Sequence, residues 1–436
     1  MSSHIISQAA APPEVLEEAV HALRCVASGD RVFVGSGLAV PQLLVDALAA
    51  RASELEGVEV THLMTFGTAP YSAPGMEKSF RANALFTGAN VREAVNDGRG
   101  DYTPIFLSEI PGLIRSGDFN VDTCLVQVTP PGTHGHCSLG IDCACTLEAA
   151  RTAKNVIGLV NEEMPWVYGE NFLHKSEFRA LIRYDHPLPE LPRKSPSDAE
   201  KLIGLFCAEL VPNGACLQLG IGAIPDAVLA SLGDKRDLGM HTEMFSDGAV
   251  ELVNKGVINC KAKTLHLDKM IASFVLGSKV LYDFERSNPL VEFRPVDHTN
   301  DPFVIARNDN MISINSAIQV DLTGQVCSDS LGHSIYSGFG GQVDFVRGAS
   351  RSKGGKPIIA LESTAKKGTI SRITPTLAPG AGVVTSRADV HYVCTEFGVA
   401  YLHGKTIRER ANALIRIAHP QFREELKYAA TQRKLI

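Results

Sequence analysis

Two stretches of this chain carry the same plan, and no other feature narrows its fold as much. Residues 31–48, R-V-F-V-G-S-G-L-A-V-P-Q-L-L-V-D-A-L, read as a buried strand, a glycine turn and a helix with Pro41 at its first position. Residues 216–232, C-L-Q-L-G-I-G-A-I-P-D-A-V-L-A-S-L, repeat that order with Pro225 in the matching place. Proline suits the first turn of a helix, where its missing N–H would have no intrahelical partner anyway. Apolar residues then follow at helical spacing in both stretches. A further likeness links V-T-H-L-M-T-F (60–66) to G-M-H-T-E-M-F (239–245), and it puts Leu63 where Glu243 stands. Between the repeats, H-P-L-P-E-L-P-R-K-S-P-S-D-A-E (186–200) has four prolines, charged and small polar residues and little to bury, the composition of an exposed connector.

Strands such as V-F-V, L-V-Q-V (125–128), P-I-I-A-L (357–361) and V-H-Y-V (390–393) alternate with helical segments. That alternation predicts two related open α/β domains with largely parallel sheets, spanning residues 1–190 and 191–436. Ligands in such sheets bind at the carboxyl ends of strands. Both glycine turns and Glu243 fall at strand-to-helix junctions, so the duplication predicts two domains facing each other with chemistry retained in the second.

At 436 residues, 44% hydrophobic and 21% charged, the chain has enough apolar material for two cores. A net charge of −6 gives no general attraction to nucleic acid or an anionic membrane, so neither is an expected partner. No apolar run approaches the roughly 20 residues that cross a bilayer. M-S-S-H-I-I-S-Q-A-A at the start lacks the basic and apolar regions of a secretory signal, and a soluble, cytoplasmic protein is expected. Ten cysteines are scattered through a large chain, which predicts reduced thiols. The densest group, H-G-H-C-S-L-G-I-D-C-A-C (134–145), offers two imidazoles and three thiols, but its spacing fits no familiar zinc pattern and no metal is expected.

Several residues could carry chemistry. Gly220 and Gly222 let the backbone turn sharply toward a ligand, while the following helix offers free N–H groups to a phosphate or oxyanion. An ordinary strand-to-helix turn needs the same glycines. Proline near the third glycine's place disfavours a dinucleotide fingerprint. Glu243, in H-T-E-M-F-S-D-G-A-V-E-L-V-N-K-G, stands where a strand end meets a helix expected from about Asp247 to Gly256. Helix-terminal N–H groups would keep it ionised and partial desolvation would sharpen it as a nucleophile; a lone acid pairing with backbone or a cation is the plainer alternative. S-G-F-G-G-Q-V-D-F-V-R-G (337–348) reads as a strand-flanked glycine loop able to aim N–H groups at one oxygen, or as a hairpin needing positive φ. His134, His136 and His241 read as positioning or core residues, and no G-x-S-x-G elbow accompanies them.

Taken together, Q-L-G-I-G-A-I-P, H-T-E-M-F-S-D-G, S-G-F-G-G-Q-V-D-F, T-E-F-G-V-A-Y-L-H-G-K-T-I-R-E-R-A and P-P-G-T-H-G-H-C-S-L-G resemble blocks of the acetyl-CoA hydrolase/transferase family over nearly the whole chain. That family includes 4-hydroxybutyrate, butyrate:acetate and succinate:acetate CoA-transferases. The resemblance implies that Glu243 takes CoA as a thioester in a ping-pong exchange between acyl-CoA and small carboxylates, without a permanently bound cofactor. It implies that Gly220, Ile221, Gly222, Ala223 and Ile224 line the CoA site, that Ile318, Gly340 and Gly341 add contacts, and that Gln218 makes a polar contact at the carboxylate site. A homodimer is implied too. The pattern is nearest the 4-hydroxybutyrate and butyrate subgroup, with acetyl-CoA or acetate as partner substrate, and Phe339 varies the glycine loop. An acyl-CoA hydrolase, or a non-catalytic sensor of CoA esters, would use the same residues.

Overall fold

The computed structural model describes residues 11–436; the N-terminal segment read above for a secretory signal lies outside them. The chain forms two compact units. The first contains residues 11–192 together with Ile271–Thr299 and Tyr336–Gly338. The second contains Arg193–Met270, Asn300–Ile335 and Phe339–Ile436. The first crossing between them thus falls in the proline-rich connector, and two later segments return to the first unit.

In the first unit, seven parallel strands form one sheet: β1 (Arg31–Val34), β2 (Val58–His62), β3 (Phe80–Ala84), β4 (Asp101–Tyr102), β5 (Thr123–Val128), β6 (Asn155–Val160) and β7 (Ala180–Arg183). Their order is β4-β3-β2-β1-β5-β6-β7. All six residues of β5 are buried, as a strand covered on both faces requires. Helix α1 (Gln42–Ala50) follows β1 and packs Leu44 and Leu48 into the core with Val32, Val58 and Phe80.

The second unit has a six-stranded sheet: β8 (Cys216–Leu219), β9 (Gly239–Met240), β10 (Met311–Ser316), β11 (Lys356–Ala360), β12 (Tyr392–Thr395) and β13 (Gly398–Tyr401). The order is β9-β8-β10-β11-β12-β13, parallel except for the closing β12–β13 hairpin. Helices α2 (Ala223–Ala230) and α3 (Asp247–Asn254) follow β8 and β9. Further along come α4 (Pro302–Ile305) and α5 (Gln342–Arg351).

With β3 and β4, which extend one edge of the first sheet, set aside, the two sheets share one order, β2-β1-β5-β6-β7 and β9-β8-β10-β11-β12. The duplication read from sequence is therefore a duplication of topology. Sheet register also corrects the detailed match. Arg31 pairs with Glu59, and Cys216 pairs with Gly239. Four residues on from each partner stand Leu63 and Glu243. Laid end to end, the two heptapeptides put Met64 opposite Glu243; the pairing shifts them by one and restores Leu63 to that place. The prolines need a correction as well. Pro41 is the N-cap of α1, whereas Pro225 is the third residue of α2, because residues 35–41 separate β1 from α1 while only 220–222 separate β8 from α2. Either position tolerates the missing N–H, since no helix donor there has an intrahelical acceptor.

Candidate active site

Glu243 lies just beyond β9, before the short strand Met244–Phe245 and the start of α3. The turn that carries it is pinned from within, because the buried Thr242 hydroxyl donates to the Met244 carbonyl at 2.8 Å. Strands β8 and β9 are parallel neighbours, so the Gly220–Ile224 turn at the end of β8 and Glu243 after β9 emerge at the same end of the sheet. That end is the carboxyl end, where such sheets bind ligands.

Two other segments of the same unit meet the carboxylate. Asn300, wholly buried, precedes Asp301, whose side chain accepts from the Phe303 N–H at 2.8 Å and so caps α4. Its Nδ2 donates to Glu243 Oε2 at 3.0 Å. Gly341 caps α5, and its N–H also donates to the Glu243 carboxylate. The two donors are brought side by side by close helix packing. Gly348 of α5 sits so tightly on α4 that a Cβ there would overlap the Ile305 side chain.

Burial lifts the Glu243 carboxyl above its ordinary value, and the hydrogen bonds from Asn300 and the Gly341 N–H pull it back only in part. The residue as a whole nonetheless keeps partial exposure. A carboxylate that is poorly solvated, held by two donors and still reachable can attack a carbonyl; the same donors can then stabilise the oxyanion that forms on the glutamyl group.

The other expected site residues fall in distinct places. Gly220 directly follows β8, and Ile221, Gly222 and Ala223 are partly accessible while Ile224 is buried. Gly222 caps α2 at φ 119 and ψ −174, a conformation open only to glycine. Gln218 is buried in β8 and exchanges two hydrogen bonds with Asn315 of β10, at 3.1 and 3.0 Å, which ties the strands together beneath the glycine turn. Ile318 lies two residues beyond β10 and anchors its N–H on the Cys327 carbonyl at 2.9 Å. Gly340 adopts φ 53, which sets up the N-cap that follows.

The glycine segment itself departs from the sequence reading. Q-V-D-F-V-R-G is helical rather than a strand flanking a loop, because Val343, Phe345, Val346 and Ala349 form one buried helical face. The N–H groups expected from a hairpin come instead from a helix N-terminus, whose partial positive charge faces the carboxylate. His241 is buried, edge-on to Phe345 with ring centroids 6.4 Å apart, whereas His134 and His136 belong to the first unit. Cys137, Cys143 and Cys145 are buried free thiols, and among the described residues no group of three or more His, Cys, Asp or Glu could hold a metal ion. Sequence reasoning missed Asn300 and Asn315. The only signal for Asn300 is an amide placed directly before an Asp-Pro helix start.

Sequence models of the acetyl-CoA hydrolase/transferase N-terminal and C-terminal domains match residues 8–192 and 277–430. The chain belongs to this family. It is 52% identical to the 4-hydroxybutyrate coenzyme A transferase of Clostridium kluyveri, over 95% of this chain and 96% of that protein. It is 47% identical to the succinyl-CoA:cyclohexane-1-carboxylate CoA transferase of Geobacter metallireducens, over 94% of each. The crystal structure of a 4-hydroxybutyrate CoA-transferase from Porphyromonas gingivalis superimposes with a TM-score of 0.82 at 43% identity, covering 96% of this chain and 97% of that one. Membership of the acetyl-CoA hydrolase/transferase family, with relatives of this similarity named as CoA transferases, makes the chain a CoA-transferase and removes the sensor alternative. Its substrates are accordingly CoA thioesters and carboxylates, and among the described residues no helix is long and apolar enough to cross a membrane.

Proposed function

We propose that this CoA-transferase works through a covalent thioester on Glu243, with 4-hydroxybutyrate or butyrate and acetyl-CoA or acetate as its exchange partners. The observation that carries the proposal is the Glu243 carboxylate itself, desolvated, carried on a partly exposed residue and bonded to Asn300 and the Gly341 N–H. The substrate choice is supported by the 52% identity to a 4-hydroxybutyrate enzyme.

The chemistry follows in balanced steps. A Glu243 oxygen attacks the acyl-CoA carbonyl, the C–S bond breaks, and CoA thiolate leaves an acyl-glutamyl anhydride. Thiolate then attacks the glutamyl carbonyl, its oxyanion stabilised by the Asn300 amide and the Gly341 N–H, and the first acid departs as carboxylate. A second carboxylate attacks the glutamyl thioester and releases thiolate, which attacks the new acyl carbonyl and regenerates the Glu243 carboxylate. Thioester energy is conserved throughout, so neither ATP nor a resident cofactor or metal is called for. Gly220, Ile221, Gly222, Ala223 and Ile224 are proposed to receive CoA, with Ile318 and Gly340 adding contacts and Gln218 holding the floor of the carboxylate site through Asn315. We place the enzyme in the cytoplasm as a homodimer.

A panel of carboxylates offered against acetyl-CoA tests the reading. Transfer to 4-hydroxybutyrate or butyrate at rates far above CoA release in water supports it. Equal CoA release with and without an acceptor acid would instead mark an acyl-CoA hydrolase.

A further inference from the structure

The edge of the second unit's sheet is finished by side chains rather than by a strand. Strand β9 lies at that edge, and its far side is met by the loop after α3. Leu238 takes part in a short ladder there: its N–H donates to the Val257 carbonyl, and its carbonyl accepts from the N–H groups of Asn259 and Cys260. Cys260 then turns away at φ 59 and the ladder stops. Two residues further along the edge, the backbone groups of Met240 point the same way. Its N–H donates to the Cys260 sulfur. Its carbonyl accepts from the Lys263 ammonium at 2.9 Å, and the same ammonium reaches the Lys269 carbonyl at 2.7 Å.

Lys263 is only 4% exposed. A buried lysine is costly unless its charge is well bonded. Its stem runs across Gly239, where a Cβ would overlap it. Cys260, His266 and Asp268, all non-glycine, hold left-handed φ values of 59, 52 and 59 to shape this loop. In the first unit the corresponding edge needs none of this, because Val60, the counterpart of Met240, pairs with Ala82 of strand β3. The second unit has no such strand, and three residues past Met240 stands Glu243.

We infer that Lys263 is a positioning residue for the transfer reaction: its ammonium replaces a missing edge strand and fixes the end of β9, and through it the height of Glu243 between Asn300 and Gly341. The inference rests on the reading of Glu243 as nucleophile. The Lys263 ammonium bonds the Met240 and Lys269 carbonyls, so its link to Glu243 runs through the backbone of β9.

Lys263→Met keeps the length and apolar stem and removes both hydrogen bonds. The variant is expected to show kcat lower on the order of 10²-fold, as for a nucleophile displaced by about an ångström. KM for acyl-CoA should stay within about threefold, because the glycine turn is untouched. The acid limb of kcat/KM should also move to higher pH, since a displaced Glu243 loses the donors that hold its carboxyl down, an effect that loss of global stability would not produce. If the Met variant does not fold, Lys263→Gln carries the same expectations. In a folded variant, wild-type kcat with an unmoved acid limb overturns the inference. The wild-type enzyme is first incubated with acyl-CoA to form the Glu243 thioester. Its absence there refutes the nucleophile reading, whereas its presence together with equally fast formation in the variant refutes the Lys263 role alone.

Discussion

The Asn300 side-chain amide donates to Glu243, Nδ2 to Oε2 at 3.0 Å, while its buried Oδ1 has no hydrogen-bond partner among the described residues. An unpaired buried amide oxygen costs free energy. The fold tolerates it where the amide's other end serves the nucleophile, which is the pattern of a residue kept for function rather than for stability.

Replacing Asn300 with Ala should therefore cost activity far more than fold. Loss of one oxyanion donor predicts kcat about 10²–10³-fold lower. Asn300→Asp should be worse, because a second carboxylate beside Glu243 raises both and disfavours the ionised nucleophile. Steady-state kinetics across pH checks both variants, and an Asn300→Ala enzyme with unchanged kcat contradicts the assignment.

Gly341 offers a sharper steric test. A Cβ there would overlap both Glu243 Oε2 and Asn300 Nδ2. Gly341→Ala should leave the far-ultraviolet circular dichroism intact and reduce transfer by about 10²-fold or more, with CoA still bound. Calorimetric CoA binding measured alongside turnover separates the two effects.

The raised Glu243 carboxyl predicts a trade of stability for activity. A carboxyl whose folded pKa lies above its unfolded value, 4.5, adds stability below that value and loses it as pH rises through the folded pKa. Ionising Glu243 as pH rises toward neutrality is thus a burden on the fold. Glu243→Gln should melt higher than wild type there, and the gain should vanish on acidification toward 4.5. Activity runs the other way: wild-type kcat/KM should fall as pH drops through the raised pKa. A Gln variant that melts lower at neutral pH contradicts the account.

In the first unit, Asp142 gives a companion prediction away from the proposed chemistry. Its buried carboxyl is pushed up to about 8 by burial, and its Oδ1 has no hydrogen-bond partner among the described residues. By the same sign, its contribution to stability is present below 3.8 and lost as pH rises through about 8. The melting temperature of Asp142→Asn minus that of wild type should grow between about pH 5 and 8 and then level off. A difference independent of pH contradicts it.

The parts of this architecture visible in sequence are those set by short-range pattern. Strand, glycine turn and helix recur around Gly35 and Gly220, and Glu243 stands out as an acid placed where a strand end meets a helix. The helix over Gln342–Arg351 leaves a weaker trace, since V-D-F-V has β-branched and aromatic residues and its helical face emerges only against the core. Asn300 is 57 residues from Glu243, and nothing local announces that helix packing through Gly348 will bring them together. The same limit hid the return of 271–299 to the first unit, because long-range packing leaves no periodic trace.

The most direct test incubates the enzyme with acyl-CoA, reduces any thioester with borohydride and maps the modified residue by peptide mass spectrometry. The account predicts a single reduced site at Glu243, absent without acyl-CoA and absent in Glu243→Gln. Turnover that proceeds with Glu243 unmodified, or with the thioester on another side chain, contradicts it.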